Sequence, residues 1–141
     1  MAGRSNGSRS EAVKPTFLTI DEVLAIHQDQ IARYGGSEGV RDWGLLQSAI
    51  AVPAATFGGQ FLHCDLCEMA AAYLFHFVQN HPFIDGNNRV GAVAAFVFLA
   101  LNDVRLTADN DPYADLVFTV ARGETPKSAV AEFLRANTVP A

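Results

Sequence analysis

Apolar residues recur every three or four positions along most of this chain, which is the spacing that places them on one face of an α-helix. Residues that cap or end helices, such as the Thr19 and Glu22 pair and Gly35, mark the limits of these stretches. Together the two signals predict six helices, over about residues 20–34, 40–52, 65–79, 88–101, 112–122 and 126–136. No strand-like alternation lies between them, so the predicted fold class is all-α.

Polar residues indicate where several of these helices begin. Arg41 and Asp42 fall in the first turn of the second predicted helix. Asp111 and Thr125 each precede a proline, an arrangement typical of an N-cap followed by the first helical residue. They are therefore expected to cap the fifth and sixth helices.

One segment, residues 52–61, is too interrupted to be helical. It contains Pro53 and the Gly58–Gly59 pair, which favour a tight turn between two short extended pieces. The segment is predicted to form a short hairpin-like flap.

The fourth predicted helix, from about Asn88 to Leu101, is apolar on every side. Small residues within it, such as Gly91, allow neighbouring helices to approach closely. We expect it to be the central helix of the fold, with its large apolar residues buried: Val90, Val93, Phe96, Val97, Phe98, Leu99 and Leu101.

Composition excludes several classes of protein. Half of the 141 residues are hydrophobic, which is enough for a single core, and one domain is expected over residues 15–141. The net charge of −5, with ten scattered Lys and Arg residues, provides no basic surface for nucleic acid. The longest apolar stretch has twelve residues, from Val90 to Leu101, whereas a membrane span needs roughly 20. Neither nucleic acid nor a membrane is an expected partner.

The first residues and the cysteines indicate the cellular location. Residues 1–14 are rich in Gly, Ser, Arg and Asn and lack the apolar segment of a secretory signal, so a disordered tail is predicted. Two cysteines are too few for a disulfide framework. A reducing, cytoplasmic location is therefore expected.

The richest chemistry lies in residues 81–89, HPFIDGNNR, immediately before the apolar fourth helix. A loop that opens a helix leaves backbone N–H groups unpaired, and these attract anions. Gly86 lets the backbone approach an anion closely, and Asn87 can donate from its side-chain amide beside the free N–H groups. Arg89 lies in the first turn, where the helix dipole disfavours a cation, so it calls for a negative partner such as phosphate.

His81 and Asp85 add a base and a hard ligand to this anion-binding loop. His81 follows a helix end and precedes proline, so its imidazole can face solvent as a general base; a histidine hydrogen-bonded in the core is the alternative. Asp85 suits Mg²⁺ held jointly by one carboxylate and the phosphates of a nucleotide, with turn or helix capping as the alternative. Phe83 is expected to point inward as the apolar anchor of the loop.

This motif resembles the Fic signature HPFx[DE]GNxR, and residues 17–134 look like the Doc (death on curing) branch of the Fic/Doc superfamily. Less specific supporting segments are FLTIDEVLAIH at 17–27, YGGSEGVRDWGLLQSAI at 34–50, ATFGG at 55–59 and FVFLALN at 96–102. The resemblance implies a helical Fic-type domain that transfers part of a nucleoside triphosphate to a Ser, Thr or Tyr hydroxyl of a target protein.

The same resemblance implies a role for each residue of the motif. His81 would deprotonate the target hydroxyl, Asp85 would bind Mg²⁺, and Arg89 would hold a phosphate of ATP. The anion-binding loop would consist of Gly86, Asn87 and Asn88. The flap would align an extended target segment by strand-like pairing, through Thr56, Phe57, Gly58, Gly59 and Gln60.

Two positions depart from the resemblance. Adenylylating Fic enzymes usually have Gly where this chain has Asn88 and a second Arg where it has Ala92, whereas Doc kinases have Lys at the first position and also lack the second Arg. The missing Arg argues against the adenylylating nucleotide pose, and the missing Lys removes one phosphate contact of the Doc pose. Since the rest of the chain looks like Doc, phosphoryl transfer from ATP to a translation factor is the favoured hypothesis.

Two other functions stay open at this point. Adenylylation (AMPylation) of a protein hydroxyl is the first alternative, and a catalytically silent nucleotide- or protein-binding module is the second. Doc-type proteins resemble toxins that are paired with small antitoxins, and no inhibitory [ST]xxxE[GN] helix is apparent in this sequence. Inhibition by a separate antitoxin is therefore expected.

The remaining residues with chemical potential favour structural roles. The two cysteines, in a lone CxxC, lack the further ligand pairs of a zinc site, so buried packing is predicted for both. His27 and His76 lie on helical faces with apolar neighbours and are interpreted as structural. Arg41 and Asp42 are predicted to form a surface ion pair, with contact to the active site as the alternative.

Overall fold

A computed structural model describes residues 14–141, and within them it contains six α-helices, as the sequence predicts. In chain order these are α1 (Ile20–Tyr34), α2 (Trp43–Ala51), α3 (Leu66–Asn80), α4 (Asn87–Leu101), α5 (Asn110–Ala121) and α6 (Lys127–Ala136). The other elements are a 3-10 turn (Val52–Ala54) and four short strands: β1 (Thr56–Phe57), β2 (Gln60–Phe61), β3 (Val104–Leu106) and β4 (Thr138–Pro140). The all-α fold class is confirmed. The tail predicted for residues 1–14 lies outside the described residues, apart from exposed Lys14.

Side-chain caps set the starts of α1 and α2. The Thr19 hydroxyl accepts from the Glu22 amide at 3.1 Å, and the Glu22 carboxylate accepts from the Thr19 amide at 2.8 Å, which confirms the capping box. Asp42 is the N-cap of α2, so this helix starts only at Trp43. The prediction that Arg41 and Asp42 lie within its first turn is therefore wrong.

The starts of α5 and α6 also differ from the prediction by one or two residues. Asp109, not Asp111, is the N-cap of α5, and Pro126, not Thr125, is the N-cap of α6. Neither Asp109 nor Pro126 makes a capping hydrogen bond with its side chain. The Thr125 hydroxyl, which was predicted to cap α6, donates to the Thr119 hydroxyl at 2.8 Å. Each proline marked a helix start but did not identify the capping residue.

The most enclosed helix is α3, which packs against α2, α4, α5 and α6. Its buried residues are Met69, Ala70, Ala71, Ala72, Tyr73, Leu74, Phe77 and Val78. The prediction that α4 is the central helix is wrong in part, because Phe96 and Leu101 of α4 are exposed by 47% and 42%. Apolar composition on all sides does not reveal which side is left uncovered by neighbouring elements. No helix within residues 14–141 has the length and hydropathy that a membrane span requires.

The contact between α3 and α4 is closest at Gly91. A Cβ atom placed there would lie 2.9 Å from Cγ2 of Val78 and 3.0 Å from the backbone oxygen of Leu74. The expected close approach of a neighbouring helix at this glycine is confirmed. It matters for function because α3 and α4 carry the two ends of the motif.

Replacing Gly91 by alanine is expected to destabilise the protein by about 1–2 kcal/mol, because overpacking outweighs the gain of about 1 kcal/mol in helix propensity. Urea unfolding of the two proteins measures this difference. A suitable control is Gly44→Ala in α2, where the added methyl group would lie 3.3 Å from the Asp42 carboxylate. Equal or greater stability of the Gly91→Ala variant would contradict the proposed packing.

The flap is an antiparallel hairpin, as predicted. Thr56 pairs with Phe61 and Phe57 with Gln60, and Gly58 and Gly59 both have positive φ angles, of 61° and 81°. A turn with two positive φ angles matches the twist of a two-residue hairpin, which explains the glycine pair.

The second two-stranded sheet, β3 with β4, was not predicted. Its strands have three residues each. Val104 of β3 pairs with Pro140 of β4, and helices α5 and α6 separate the two strands in the sequence. A strand this short carries too few alternating positions to be recognised from its own sequence.

Candidate active site

The motif forms the junction between α3 and α4. His81 is the C-cap of α3 in a left-handed conformation, with φ 50° and ψ 56°, and Pro82 follows it. Gly86 precedes α4 with φ 82°, a value that glycine adopts without the steric cost of a side chain. The chain therefore turns twice within a few residues and holds His81 and the start of α4 on one surface.

A strand-like segment, residues 39–42, holds this loop from one side. Val40 forms an isolated antiparallel bridge with Phe83, and the Ile84 amide donates to the Gly39 carbonyl at 3.1 Å. The amides of residues 41 and 42 both donate to the Pro82 carbonyl, at 2.7 and 3.1 Å. These backbone bonds explain why Val40 is extended and not helical.

The side chain of Arg41 reinforces the same contact. Its Nε donates to the His81 carbonyl at 2.6 Å, and its Nη2 donates to the Asn80 carbonyl at 2.9 Å. The predicted surface ion pair with Asp42 is wrong, because the guanidinium caps the C-terminal end of α3 and the Asp42 carboxylate caps α2. The alternative, contact with the active site, is correct for Arg41, because its guanidinium binds the backbone carbonyl of His81.

Loss of the Arg41 guanidinium is expected to lower kcat about 10- to 100-fold with little change in the nucleotide KM, because His81 would lose the brace on its backbone. Comparing Arg41→Ala with Arg41→Lys, which keeps the charge but not the two-pronged geometry, tests this role. If Arg41→Ala lowers thermal stability while kcat stays at the wild-type value, Arg41 serves the fold alone.

Buried residues hold the loop from the core side. The Phe83 ring is 1% exposed and stacks on the His27 ring at 3.9 Å between centroids, with 6° between the planes. His27 Nε2 lies 2.9 Å from the Asp85 carbonyl, to which it must donate. The predictions that Phe83 points inward and that His27 is structural are both confirmed. Sequence reasoning missed that His27 supports the motif itself.

Asn87 has a different role from the one predicted for its side chain. It is buried, its Oδ1 accepts from the Phe83 amide at 2.9 Å, and its Nδ2 donates to the Phe83 carbonyl at 3.0 Å. The side-chain amide expected to donate to an anion is therefore already engaged in closing the loop. The backbone N–H and the second N–H of the side-chain amide have no acceptor among the described residues.

The outer surface of the loop lines an open cavity of about 500 Å³. Its lining residues are His81, Ile84, Asp85, Gly86, Asn87, Asn88, Arg89 and Phe118. His81 is exposed, and no hydrogen bond to its ring occurs within residues 14–141. The structure thus brings together all the predicted residues of the motif.

The first amides of α4 face this cavity without protein partners. Val90 donates to the Gly86 carbonyl, and among the described residues no acceptor is bound to the amides of Gly86, Asn87 or Asn88. The N-terminal cap makes no side-chain hydrogen bond. Free amides and the positive end of a 15-residue helix together suit an anion.

Arg89 has a protein partner that the sequence did not reveal. Its guanidinium donates to the carbonyls of Gln30 at 3.2 Å and Gly35 at 3.0 Å, and it lies 5.6 Å from the centre of the Tyr34 ring. The carbonyl oxygens at the C-terminal end of α1 therefore provide part of the negative charge that was expected beside Arg89. A guanidinium has five N–H groups, so donors remain for a phosphate in the cavity.

Asp85 is exposed, and one of its carboxylate oxygens accepts from the Ser37 amide at 2.8 Å. No group of three or more His, Cys, Asp and Glu side chains gathers into a metal site within the described part of the chain. A magnesium ion held by one carboxylate and by phosphate oxygens needs no such group. Asp85 lines the same cavity as the residues with free amides, which fits this kind of binding.

The flap residues do not line the cavity. Both residues of β1 and one of the two residues of β2 are exposed, and the Phe57 side chain is 80% exposed. The edge of the hairpin is therefore open to pairing with another chain, as β-augmentation requires.

Comparison with known proteins identifies the family. The model of the Fic/DOC family matches residues 17–99. This chain belongs to the Fic/DOC family. Toxin Doc of Mycolicibacterium smegmatis is 45% identical over 78 residues, which are 55% of this chain and 60% of that protein. Protein kinase doc of Escherichia phage P1 is 36% identical over 118 residues, which are 84% of this chain and 92% of that protein.

The Fic/DOC match contains the motif, the segment 39–42 that braces it, and His27 behind it. It ends at residue 99, so the α5 residue Phe118 lies outside the matched segment although it lines the same cavity. Phe118 is a site residue that sequence reasoning missed. It has no local motif, and only the packing of α5 brings it to the loop.

A second cavity, of about 280 Å³, lies along α6 and is also lined by His63 and by Glu68 of α3. Burial and the nearby Lys127 ammonium lower the pKa of His76 to about 4, and the ammonium lies 3.0 Å from Nε2 of the His76 ring. The interpretation of His76 as structural is confirmed.

Cys64 is exposed and Cys67 half-buried, so the predicted buried packing is wrong for Cys64.

Proposed function

We propose that this protein is a Doc-type toxin enzyme that transfers the γ-phosphoryl group of ATP to a Ser, Thr or Tyr hydroxyl of a target protein. The observation that carries the proposal is the open cavity in which unpaired amides, Asp85 and Arg89 lie beside the exposed His81. Membership of the Fic/DOC family supports a nucleotide-dependent, protein-modifying transferase. The relative named Protein kinase doc, matched over 92% of its length, supports phosphoryl transfer.

His81 is the proposed general base. Its imidazole takes the proton of the target hydroxyl while the hydroxyl oxygen forms a bond to the γ-phosphorus. The bond between the γ-phosphorus and the β–γ bridging oxygen breaks, and ADP leaves with that electron pair. An exposed ring that is braced at its backbone by Arg41 suits this role, because it reaches the incoming hydroxyl with little freedom of its main chain.

The phosphates of the nucleotide are proposed to bind at the start of α4. The amides of Gly86, Asn87 and Asn88 donate to phosphate oxygens, and the free N–H groups of Arg89 stabilise the remaining charge. Asp85 is the proposed ligand of Mg²⁺, which supplies charge neutralisation at the phosphates when bound. Asn88, half-buried and lining the cavity, takes the position where Doc kinases have Lys.

The group transferred is proposed to be phosphoryl because the residue that would support adenylylation is absent. Position 92 is alanine, where an adenylylating Fic enzyme usually has its second arginine. In this structure the backbone of Ala92 accepts from the Tyr113 hydroxyl at 2.7 Å, so the tyrosine occupies space next to that position.

Incubation with ATP labelled at the α or the γ phosphate tests the assignment. A bacterial lysate treated with the wild-type protein is expected to retain only the γ label on a target protein, and the His81→Ala variant is expected to transfer none. Label retained only from the α position would establish adenylylation. Nucleotide binding without His81-dependent labelling of any protein would indicate a binding module.

The target is proposed to be a translation factor in the cytoplasm, and the partner that restrains the enzyme a small antitoxin. The relatives named Toxin Doc and Protein kinase doc support a toxin of this kind. The exposed edge of the flap, from Thr56 to Gln60, is the proposed place where an extended target segment pairs.

A further inference from the structure

We propose that Phe118 is the platform on which the base of the nucleotide stacks. This inference rests on the proposed function, because it assigns a binding subsite within the same cavity. Phe118 lines the cavity together with His81 and the anion-binding loop, and its side chain is 53% exposed. It is one of only two large apolar side chains among the lining residues, the other being Ile84.

The ring of Phe118 is available to a ligand. Among the described residues it is paired with no other aromatic ring, whereas other phenylalanines, such as Phe83 and Phe98, stack against neighbours in the core. On α5, Val117 and Val120 are buried while Phe118 is left facing out. An exposed aromatic ring at the edge of a polar, anion-binding surface suits a ligand with one charged end and one flat, apolar end.

The structure also fixes the α5 backbone that carries this ring relative to the reacting end of the site. Gln79, two residues before His81, donates from its side chain to the Val120 carbonyl at 2.5 Å, and Val120 lies two residues after Phe118. This bond ties α5 to the C-terminal end of α3. A base on Phe118 and phosphates on the amides of α4 would therefore be held at a set separation.

The volume of the cavity suits a nucleotide better than a smaller anion. At about 500 Å³ the cavity is within the range of roughly 300–1,000 Å³ for small-molecule sites, and a free phosphate would fill little of it. Because every base has a flat face, stacking on Phe118 would hold ATP and GTP alike.

Binding measured without any target protein tests this subsite. For the Phe118→Ala variant we expect the Kd for magnesium ATP to rise roughly 5- to 100-fold, the range for the loss of one stacked base. The Kd for inorganic tripolyphosphate, which has no base, is expected to stay unchanged. Phe118→Trp, which keeps a flat ring, is expected to bind ATP within a few-fold of wild type.

A matched control is Phe96→Ala on α4, since Phe96 is 47% exposed but lines a different cavity. Wild-type ATP affinity in the Phe118→Ala variant, or equal losses for ATP and tripolyphosphate, would overturn the stacking proposal and leave the proposed function intact. An effect on target labelling alone, at unchanged ATP affinity, would assign Phe118 to the target protein instead. If wild type binds neither ATP nor tripolyphosphate, it is the proposed function that fails.

Discussion

Replacing His81 by alanine is expected to lower γ-phosphoryl transfer by about 10²- to 10⁴-fold, the usual contribution of a general base. The nucleotide Kd should change little, because the proposed role of the imidazole is to bind the target hydroxyl and not the phosphates. Single-turnover transfer to the labelled target, measured beside equilibrium nucleotide binding, separates these two effects. In cells, expression of wild type is expected to arrest growth, and the variant is expected to relieve the arrest.

The structure supplies two controls for this substitution. His81 has a φ angle of 50°, so alanine there adds backbone strain, whereas His81→Asn keeps a residue that tolerates the left-handed region and removes the base. Both variants should be inactive and folded. His63→Ala changes a histidine that lines the other cavity and should retain activity. Equal toxicity of the wild type and the His81 variants would refute the role of His81.

Replacing Asp85 by asparagine is expected to lower transfer by about 10²- to 10³-fold at a fixed magnesium concentration, since the loss of a metal-binding carboxylate removes several kcal/mol of charge stabilisation. The asparagine oxygen can still accept from the Ser37 amide, which Asp85 binds at 2.8 Å, so the loop should keep its conformation. Titration with Mg²⁺ should show half-maximal activity at a higher Mg²⁺ concentration than in the wild type, with activity restored in part at high concentrations.

Asp29→Asn is the matched control for this experiment. Asp29 is an exposed carboxylate of α1 that pairs with Arg33 at 3.0 Å and does not line the cavity. It should leave transfer and its magnesium dependence unchanged. Full activity of Asp85→Asn at low magnesium would assign Asp85 to the loop structure alone, where its carboxylate binds the Ser37 amide.

Local sequence patterns were sufficient for the helices and for the position of the motif. A capping box such as Thr19 with Glu22 involves residues three positions apart, and the flap turn needs only Gly58 and Gly59. The motif likewise indicated unpaired amides at a helix start, because free amides are a property of every such start. These features depend on neighbours within one or two turns.

Roles that depend on distant residues could not be predicted in the same way. Arg41 braces the backbone of His81 across 40 positions of the sequence, and His27 binds the Asp85 carbonyl across 58. Asn87 matched the motif as an expected anion donor, yet its side-chain amide closes the loop on Phe83. The residue type alone did not distinguish the two uses.

The sequence by itself determined that the chain is helical, that a histidine and an aspartate precede a helix start, and that an arginine lies in the first turn of that helix, since these follow from residue spacing. Only the tertiary structure decided that α3 is more enclosed than α4, that Arg89 also binds the end of α1, and that Phe118 lines the site. The physical reason is that burial and long-range hydrogen bonds depend on how whole helices pack. That packing is set by many weak contacts together and not by any single stretch of residues.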